Sequence, residues 1–200
     1  MIRLLTFYFL FALSPLSFAQ PVILVFGDSL SAGYGLNQGE GWVQLLQSRL
    51  NEKKYPHQVI NASISGNTTD NGRDRIVKTL AKHKPDVVII ELGGNDGLRG
   101  LSLAAMRKNL SFIVQACQQQ KAKVLLVGIR LPPNYGPLYV QKFQQSFAFV
   151  AEEHEIPIVP YMLDIIGEDY RYFQRDRIHP NRLGQPIILD NIWPQLEKLL

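Results

Sequence analysis

Short runs of β-branched and other apolar residues alternate with longer amphipathic stretches along this 200-residue chain, and this alternation restricts the possible folds most strongly. The apolar runs are residues 22–26, 59–60, 87–92, 124–129 and 156–159. The stretches long enough for helices are residues 41–54, 68–84, 103–120, 139–155 and 184–200. Continuous apolar runs are typical of strands covered on both faces, and strand–helix alternation produces right-handed βαβ units. The sequence therefore predicts a three-layer α/β/α sandwich with a five-stranded parallel sheet.

The N-terminal segment has the three parts of a secretory signal peptide. One cation, Arg3, precedes an apolar run over residues 4–13, and a small-x-small cleavage site ends at Ala19. A membrane anchor is the alternative, but a span needs about 20 apolar residues. We predict a signal peptide over residues 1–19, a single domain over residues 20–200, and a periplasmic or secreted mature protein.

Charge and cysteine content exclude several other classes of protein. Lys and Arg number 21 against 17 Asp and Glu, which gives a net charge of +4 without a concentrated basic patch. A nucleic-acid-binding protein would carry such a patch, so we expect no nucleic-acid partner. Cys117, the only cysteine, cannot form an intramolecular disulfide, and its place in a predicted helix indicates a packing role. We expect a monomer with at most transient contact with a membrane surface.

Ser29 is the first candidate for chemistry. The Gly- and Pro-rich loops follow the apolar runs, and in a parallel sheet such loops line the ligand crevice. Ser29, in the segment GDSLS, directly follows the first run, so its hydroxyl is expected at a sharp strand-to-helix turn. This position suits a nucleophile, although the second glycine of the G-x-S-x-G elbow is absent. A helix N-cap is the alternative role.

A nucleophilic serine needs a base, and the chain has four histidines. We interpret His57, His83 and His154 as solvated side chains, because they lie in lysine-flanked or acidic segments. His179 differs, since Asp176 precedes it by three residues. A turn of this spacing can bring the carboxylate to Nδ1 and leave Nε2 outward, which fixes the tautomer that a general base requires.

Acyl transfer also needs hydrogen-bond donors directed at the developing oxyanion. Gly66, in the loop after the second run, can offer a backbone N–H without a side chain that obstructs the substrate. Asn95, in the GGND segment after the third run, can offer its side-chain amide. Either residue alone is more simply interpreted as a turn residue. Together with Ser29, Asp176 and His179 at one sheet edge, they predict an acyl-transfer site.

These segments, in this order, resemble the four sequence blocks of the GDSL or SGNH hydrolases, and the likeness extends over nearly the whole mature chain. NASISGNTT, ELGGNDGLRG, IRLPPNYGP and IHPNR are especially similar to the bacterial periplasmic thioesterase I type, which is also described as a lysophospholipase, arylesterase and protease. The resemblance implies the flavodoxin-like SGNH hydrolase fold. It also implies a serine esterase or thioesterase that works without a cofactor.

The resemblance further implies a role for each site residue. Ser29 is the nucleophile, and its N–H is one oxyanion donor. The Gly66 N–H and the Asn95 amide are the other two donors. His179 is the base, and Asp176 orients it.

Arg177 is the main departure from the family pattern. The family often has glycine directly after the triad aspartate, where this chain has Arg177. A turn that requires positive φ would strain an arginine and affect the Asp176 geometry.

Four acidic residues near the same sheet edge raise the alternative of a metal site. They are Asp28, Asp70, Glu91 and Asp96. No His-x-x-x-His or paired-cysteine spacing accompanies them, so we predict no metal and no cofactor.

Apolar side chains beside the predicted site indicate an acyl-binding groove. The predicted substrate-binding residues are Leu98, Leu101, Pro132 and Tyr135, with further apolar surface from Leu103, Ile129, Leu131 and Pro133. Because an apolar groove favours fatty-acyl groups, we expect a small-molecule acyl ester or thioester, derived from lipid, as substrate. The alternatives are a short-chain or carbohydrate acetyl esterase, and a non-catalytic lipid-binding module.

Overall fold

A computed structural model describes residues 20–167 and 169–200, so the predicted signal peptide lies outside the described residues. Five strands form one parallel sheet in the order β2-β1-β3-β4-β5. The strands are β1 Val22–Gly27, β2 Gln58–Asn61, β3 Val87–Glu91, β4 Lys123–Val127 and β5 Ile158–Val159. This is the flavodoxin-like strand order, and the predicted five-stranded parallel sheet is confirmed.

Seven α-helices connect and flank the strands within the described residues. They are α1 Ser29–Ala32, α2 Trp42–Glu52, α3 Thr69–His83, α4 Gly94–Leu98, α5 Leu103–Gln119, α6 Pro137–Glu153 and α7 Gln185–Glu197. Helices α2 and α7 cover one face of the sheet, and α3, α5 and α6 cover the other, which confirms the three-layer sandwich. None of the described helices combines the length and the apolar character that a membrane span requires.

Side chains that alternate along each strand fill the two layers of the core. In β1, Ile23 and Val25 pack in the α2/α7 layer, whereas Leu24 and Phe26 pack in the α3/α5/α6 layer. All four side chains are fully buried, and burying each one contributes about 1.5–3 kcal/mol. Burial on both faces explains why the strands are continuous apolar runs rather than alternating patterns.

Several element boundaries differ from the sequence prediction by one to three residues, and proline explains two of these differences. The last strand, predicted over residues 156–159, is only Ile158–Val159, because Pro157 has no N–H to donate to the ladder. Its carbonyl still accepts the Leu126 N–H at 3.1 Å. Helix α6 begins at Pro137, two residues before the predicted start at 139, since the fixed φ of proline suits the first helical position.

The short helices α1 and α4 were not predicted, and both lie at the carboxyl edge of the sheet. Helix α1 follows β1 and begins with Ser29, and α4 follows β3 and carries Asn95 in its first turn. Parallel strands deliver both helices to the same edge.

Candidate active site

Ser29 is the first residue of α1, two residues after Gly27 ends β1. Asp28 is the N-cap of this helix, and its Oδ1 accepts the Leu30 N–H at 3.1 Å. Gly33 ends the helix in the left-handed region, with φ of 77°. The sharp strand-to-helix turn is as predicted. The alternative that Ser29 itself caps the helix is wrong, because Asp28 fills that position.

Ser29, His179 and Asp176 form one hydrogen-bonded chain of side chains. The Ser29 Oγ lies 2.9 Å from His179 Nε2, and His179 Nδ1 lies 2.7 Å from Asp176 Oδ2. With the Nδ1 proton donated to the carboxylate, Nε2 presents its lone pair to the serine hydroxyl. This is the order of groups that transfers a proton away from a nucleophilic serine.

The Asp176 carboxylate also builds the turn that carries the imidazole. Its Oδ1 accepts the backbone N–H groups of Ile178 at 2.9 Å and His179 at 3.0 Å. Partial burial raises the pKa of Asp176, but these backbone bonds and the imidazole outweigh burial and hold that pKa below its ordinary value. Asp176 is therefore ionised at neutral pH, which favours the Nδ1-protonated tautomer of His179.

Arg177 occupies the strained backbone position that the family pattern indicated. Its φ is 59°, in the left-handed region that favours glycine. The Arg177 guanidinium lies 4.8 Å from the ring centre of Tyr170. The strain leaves the bond between Asp176 and His179 intact at 2.7 Å.

The three expected donors lie on the segments that follow β1, β2 and β3, with Ser29 in α1, Gly66 in a loop and Asn95 in α4. In the described part of the chain, the backbone N–H groups of Ser29 and Gly66 have no acceptor, and Gly66 has φ of 79°. The Asn95 amide is already bonded, since Nδ2 donates to Asp28 Oδ2 at 2.9 Å and to the Asn67 carbonyl at 3.0 Å. An oxyanion bound by this amide would either share an amide hydrogen with one of these two acceptors or displace that acceptor.

The four acidic residues considered as metal ligands have other partners or lie apart. Asp28, Glu91 and Asp96 are buried, whereas Asp70 is exposed on α3. Glu91 Oε2 is 2.6 Å from the Ser31 hydroxyl. Burial raises the pKa of Asp28 to about 6 and that of Glu91 well above its ordinary value. Within the described residues, no three His, Cys, Asp or Glu side chains are grouped so that they could hold a metal ion.

The predicted substrate-binding residues lie on two loops that contact each other. Leu98 ends α4 and is half-buried, and Leu101 follows it with 43% of its surface exposed. The Tyr135 hydroxyl donates to the Leu98 carbonyl at 3.0 Å, which joins the loop after β3 to the loop after β4. Pro132 is exposed on that second loop.

Part of the predicted apolar surface belongs instead to the core. Ile129 and Leu131 are buried and pack in the α3/α5/α6 layer, so the prediction that they line a groove is wrong. They come two and four residues after the end of β4, and their side chains lie close to Gly94 and Gly97 of α4. Leu103 is half-buried against the same layer, and Pro133 is exposed.

Two histidines interpreted as solvated are in fact buried. His57 is buried just before β2, and this burial lowers its pKa. The His154 side chain is 7% exposed at the end of α6. The polar neighbours of both residues suggested solvent, but the helix and strand ends that carry them pack against the core. Cys117 is buried in α5, as predicted, and burial raises the pKa of its thiol to about 12.

Tyr34 is a site residue that the sequence reasoning missed. Its ring centre lies 4.6 Å from that of His179, with the two planes tilted by 42°. Gln174 holds the loop, because its Nε2 donates to the Tyr34 carbonyl at 2.7 Å. The glycines on either side of Tyr34 were the available signal, since they indicate a loop that turns sharply next to Ser29.

The sequence model of the GDSL-like Lipase/Acylhydrolase family matches residues 25–187, a range that contains the whole hydrogen-bonded chain of side chains. The chain belongs to this family. The resemblance stated from the sequence blocks is therefore confirmed, and the chain is an ester hydrolase of the GDSL type.

Curated relatives of this GDSL hydrolase match it over nearly their whole length. Esterase TesA from Pseudomonas aeruginosa is 47% identical over 182 residues, covering 91% of this chain and 90% of the relative. Arylesterase from Vibrio mimicus is 40% identical over 200 residues, covering all of both chains. Thioesterase 1/protease 1/lysophospholipase L1 from Escherichia coli is 39% identical over 196 residues, covering 98% of this chain and 93% of the relative.

Solved structures of similar proteins share the fold of this GDSL hydrolase. The crystal structure of TesA has 47% sequence identity and a TM-score of 0.88, covering 90% of this chain and 99% of that chain. The psychrotrophic esterase EstA from Pseudoalteromonas sp., inhibited by monoethylphosphonate, has 41% identity and a TM-score of 0.82, covering 88% and 97%.

Proposed function

We propose that this GDSL hydrolase cleaves acyl esters and thioesters through an acyl-enzyme on Ser29. The observation that carries the proposal is the chain of hydrogen bonds from Ser29 Oγ through His179 to Asp176, at 2.9 and 2.7 Å. In the first step, His179 Nε2 takes the hydroxyl proton while Oγ forms a bond to the acyl carbon. The carbonyl electron pair moves to the oxygen, which becomes an oxyanion.

The tetrahedral intermediate then collapses to the acyl-enzyme. The bond from the acyl carbon to the leaving oxygen or sulfur breaks, and His179 gives its proton to the leaving group. In the second half, His179 takes a proton from water, the hydroxide oxygen attacks the acyl carbon, and Ser29 recovers its proton as the acid departs. The ionised Asp176 stabilises the imidazolium in both halves.

Three donors would hold the oxyanion in this mechanism. The N–H groups of Ser29 and Gly66 have no acceptor in the described chain, so they can bind an oxyanion without breaking an existing bond. The Asn95 amide would donate to the oxyanion in place of the Asn67 carbonyl, or one of its hydrogens would be shared between the carbonyl and the oxyanion. Donors fixed in advance are effective because they need no reorganisation as charge develops.

The substrate that this site fits best has an apolar acyl chain. The segments after β3 and β4 supply apolar surface from Leu98, Leu101, Pro132 and Tyr135. Tyr34 adds an aromatic surface against His179. The names of the relatives include arylesterase, thioesterase and lysophospholipase. We therefore favour a lipid-derived ester or thioester, with short-chain and carbohydrate acetyl esters as the alternative.

We further propose that the enzyme acts outside the cytoplasm as a monomer without a cofactor, after removal of residues 1–19. Acyl-CoA is scarce outside the cytoplasm, so in that compartment lysophospholipids are the better candidate substrates. The five proposed site residues all come from one chain, so a second copy is not needed to complete the site.

The experiment compares the enzyme with Ser29→Ala on p-nitrophenyl esters of increasing acyl length. Ser48→Ala is the matched control, because Ser48 is an exposed serine on α2. We expect Ser29→Ala to abolish turnover, Ser48→Ala to retain it, and kcat/KM of the wild type to increase from acetyl to medium-chain esters. Turnover by Ser29→Ala would refute the mechanism. A preference for acetyl esters would refute the lipid substrate but leave the mechanism intact.

A further inference from the structure

Arg75, on α3, makes contacts that the proposed mechanism does not use. Its Nε donates to Asn67 Oδ1 at 2.9 Å, its Nη1 to the Ala62 carbonyl at 2.7 Å, and its Nη2 to the Gly27 carbonyl at 3.3 Å. The guanidinium carbon lies 3.7 Å from the ring centre of Phe26. The planar guanidinium thus rests on an aromatic ring and directs donors to the end of β1 and to two points of the loop after β2.

The Arg75 charge has no carboxylate within ion-pair distance in the described part of the chain. Burial lowers its pKa to about 10, so the side chain remains protonated at neutral pH. A half-buried cation is costly unless its donors are satisfied, and here uncharged oxygens satisfy them.

The three acceptors of Arg75 belong to the end of β1 and to the loop after β2, next to two of the proposed oxyanion donors. Gly27 is two residues before Ser29, and Asn67 directly follows Gly66. The Asn67 carbonyl in turn accepts from the Asn95 amide at 3.0 Å. One guanidinium is therefore linked to the segments of all three donors, with the link to Asn95 passing through Asn67.

We propose that Arg75 is a positioning residue that sets the distances between the three oxyanion donors. This inference rests on the proposed function, because it assumes that Ser29, Gly66 and Asn95 bind the oxyanion. The guanidinium touches none of the reacting atoms. It fixes the loop after β2 against the end of β1, so that two N–H groups from different loops reach the same oxygen.

The loss of this link should affect the transition state more than substrate binding. The donors contact the oxyanion only once charge develops, so a misplaced loop lowers kcat and leaves KM nearly unchanged. A displacement of about 1 Å in such a site can cost on the order of 10²-fold in rate.

The test uses Arg75→Lys and Arg75→Ala, with Arg73→Lys and Arg73→Ala as matched controls. Arg73 lies on the same helix, and its side chain is 46% exposed. Lysine keeps the charge, but its three N–H donors sit on one nitrogen and cannot reach the separated acceptors that the three guanidinium nitrogens bind. For Arg75→Lys and Arg75→Ala we expect kcat to fall about 10- to 100-fold with KM within about threefold. We expect both Arg73 variants to match the wild type.

Chemical rescue separates positioning from folding. Millimolar guanidinium ion added to folded Arg75→Ala should restore part of kcat, while methylammonium at the same ionic strength should not. Thermal unfolding of each variant identifies the preparations that are folded. If Arg75→Ala does not fold, Arg75→Lys alone decides.

Two outcomes would overturn the proposal. The first is a folded Arg75→Lys variant with normal kcat. The second is a fall in the kcat of the Arg75 variants that is no larger than the fraction of unfolded protein in the preparation. Both differ from failure of the proposed function, which would appear as turnover by Ser29→Ala whatever Arg75 does.

Discussion

The Asn95 amide has two protein acceptors, Asp28 and Asn67, before any substrate arrives. If this amide serves the oxyanion, its bond strengthens as charge develops on the carbonyl oxygen. Asn95→Ala should then lower kcat about 10²–10³-fold, with a much smaller change in KM. The measurement is kcat and thermal stability on the same preparation. A folded variant with near-normal kcat would show that Asn95 is only a turn residue.

Glu91, at the end of β3, predicts a pH-dependent stability. Complete burial and the nearby Asp28 raise its pKa well above the ordinary value of 4.5. Above about pH 4.5 the Glu91 carboxyl of the unfolded chain loses its proton, whereas that of the folded chain retains it. The free energy of unfolding therefore falls as the pH rises toward the pKa of the folded state. The Glu91→Gln variant has no carboxyl group to titrate at this position. The stability of the variant relative to wild type should therefore increase from pH 5 to pH 8, as measured by urea unfolding. A constant difference would show that Glu91 is ionised in the fold.

Sequence reasoning found the residues whose chemistry is local and missed those defined by distant contacts. Asp176 and His179 are three positions apart, so a single turn brings them together. The contact between them could therefore be predicted from the sequence. Arg75 and Tyr34 make their contacts with segments that only the folded sheet brings together. No local pattern distinguishes Arg75 from the exposed Arg73 two residues earlier.

The turn between β5 and α7 carries a conformational cost at Arg177, where φ is 59°. Left-handed backbone costs about 1–2 kcal/mol for a residue with a Cβ, and glycine does not incur it, although glycine loses more entropy on folding. Arg177→Gly should therefore be more stable than Arg177→Ala by about 1 kcal/mol, since alanine retains the Cβ. Chemical denaturation of the two variants measures the difference. Equal stability would mean that the turn relaxes around the side chain.

At the level of elements, the strands followed from continuous apolar runs and the long helices from amphipathic stretches, whereas neither pattern predicted the short helices. Helix α4 consists of the residues GNDGL, which have turn-like composition and low helix propensity. Tertiary bonds hold it in place, since the Asp96 carboxylate accepts the Thr69 N–H at 2.9 Å and its hydroxyl at 2.6 Å. A sequence window around Asn95 does not contain Thr69, so these bonds could not be predicted.

For the whole molecule, the predicted leader gives a direct test of processing. Cleavage after Ala19 should release a protein that begins Gln20-Pro21 and retains full esterase activity. N-terminal sequencing of the exported protein, with an activity assay on a chain expressed from Gln20, measures both. A membrane-bound product that keeps residues 1–19 would favour the anchor instead.

The central claim is that Ser29 is the nucleophile that His179 activates. An ethyl phosphonate ester with a good leaving group should add one phosphonyl group per chain, and peptide mass spectrometry should locate it on Ser29. The His179→Ala variant should react far more slowly, because no base then accepts the hydroxyl proton. A stoichiometric adduct on Ser29 that depends on His179 is the result we predict. An adduct on another residue, or turnover that persists once Ser29 is fully modified, would contradict the mechanism.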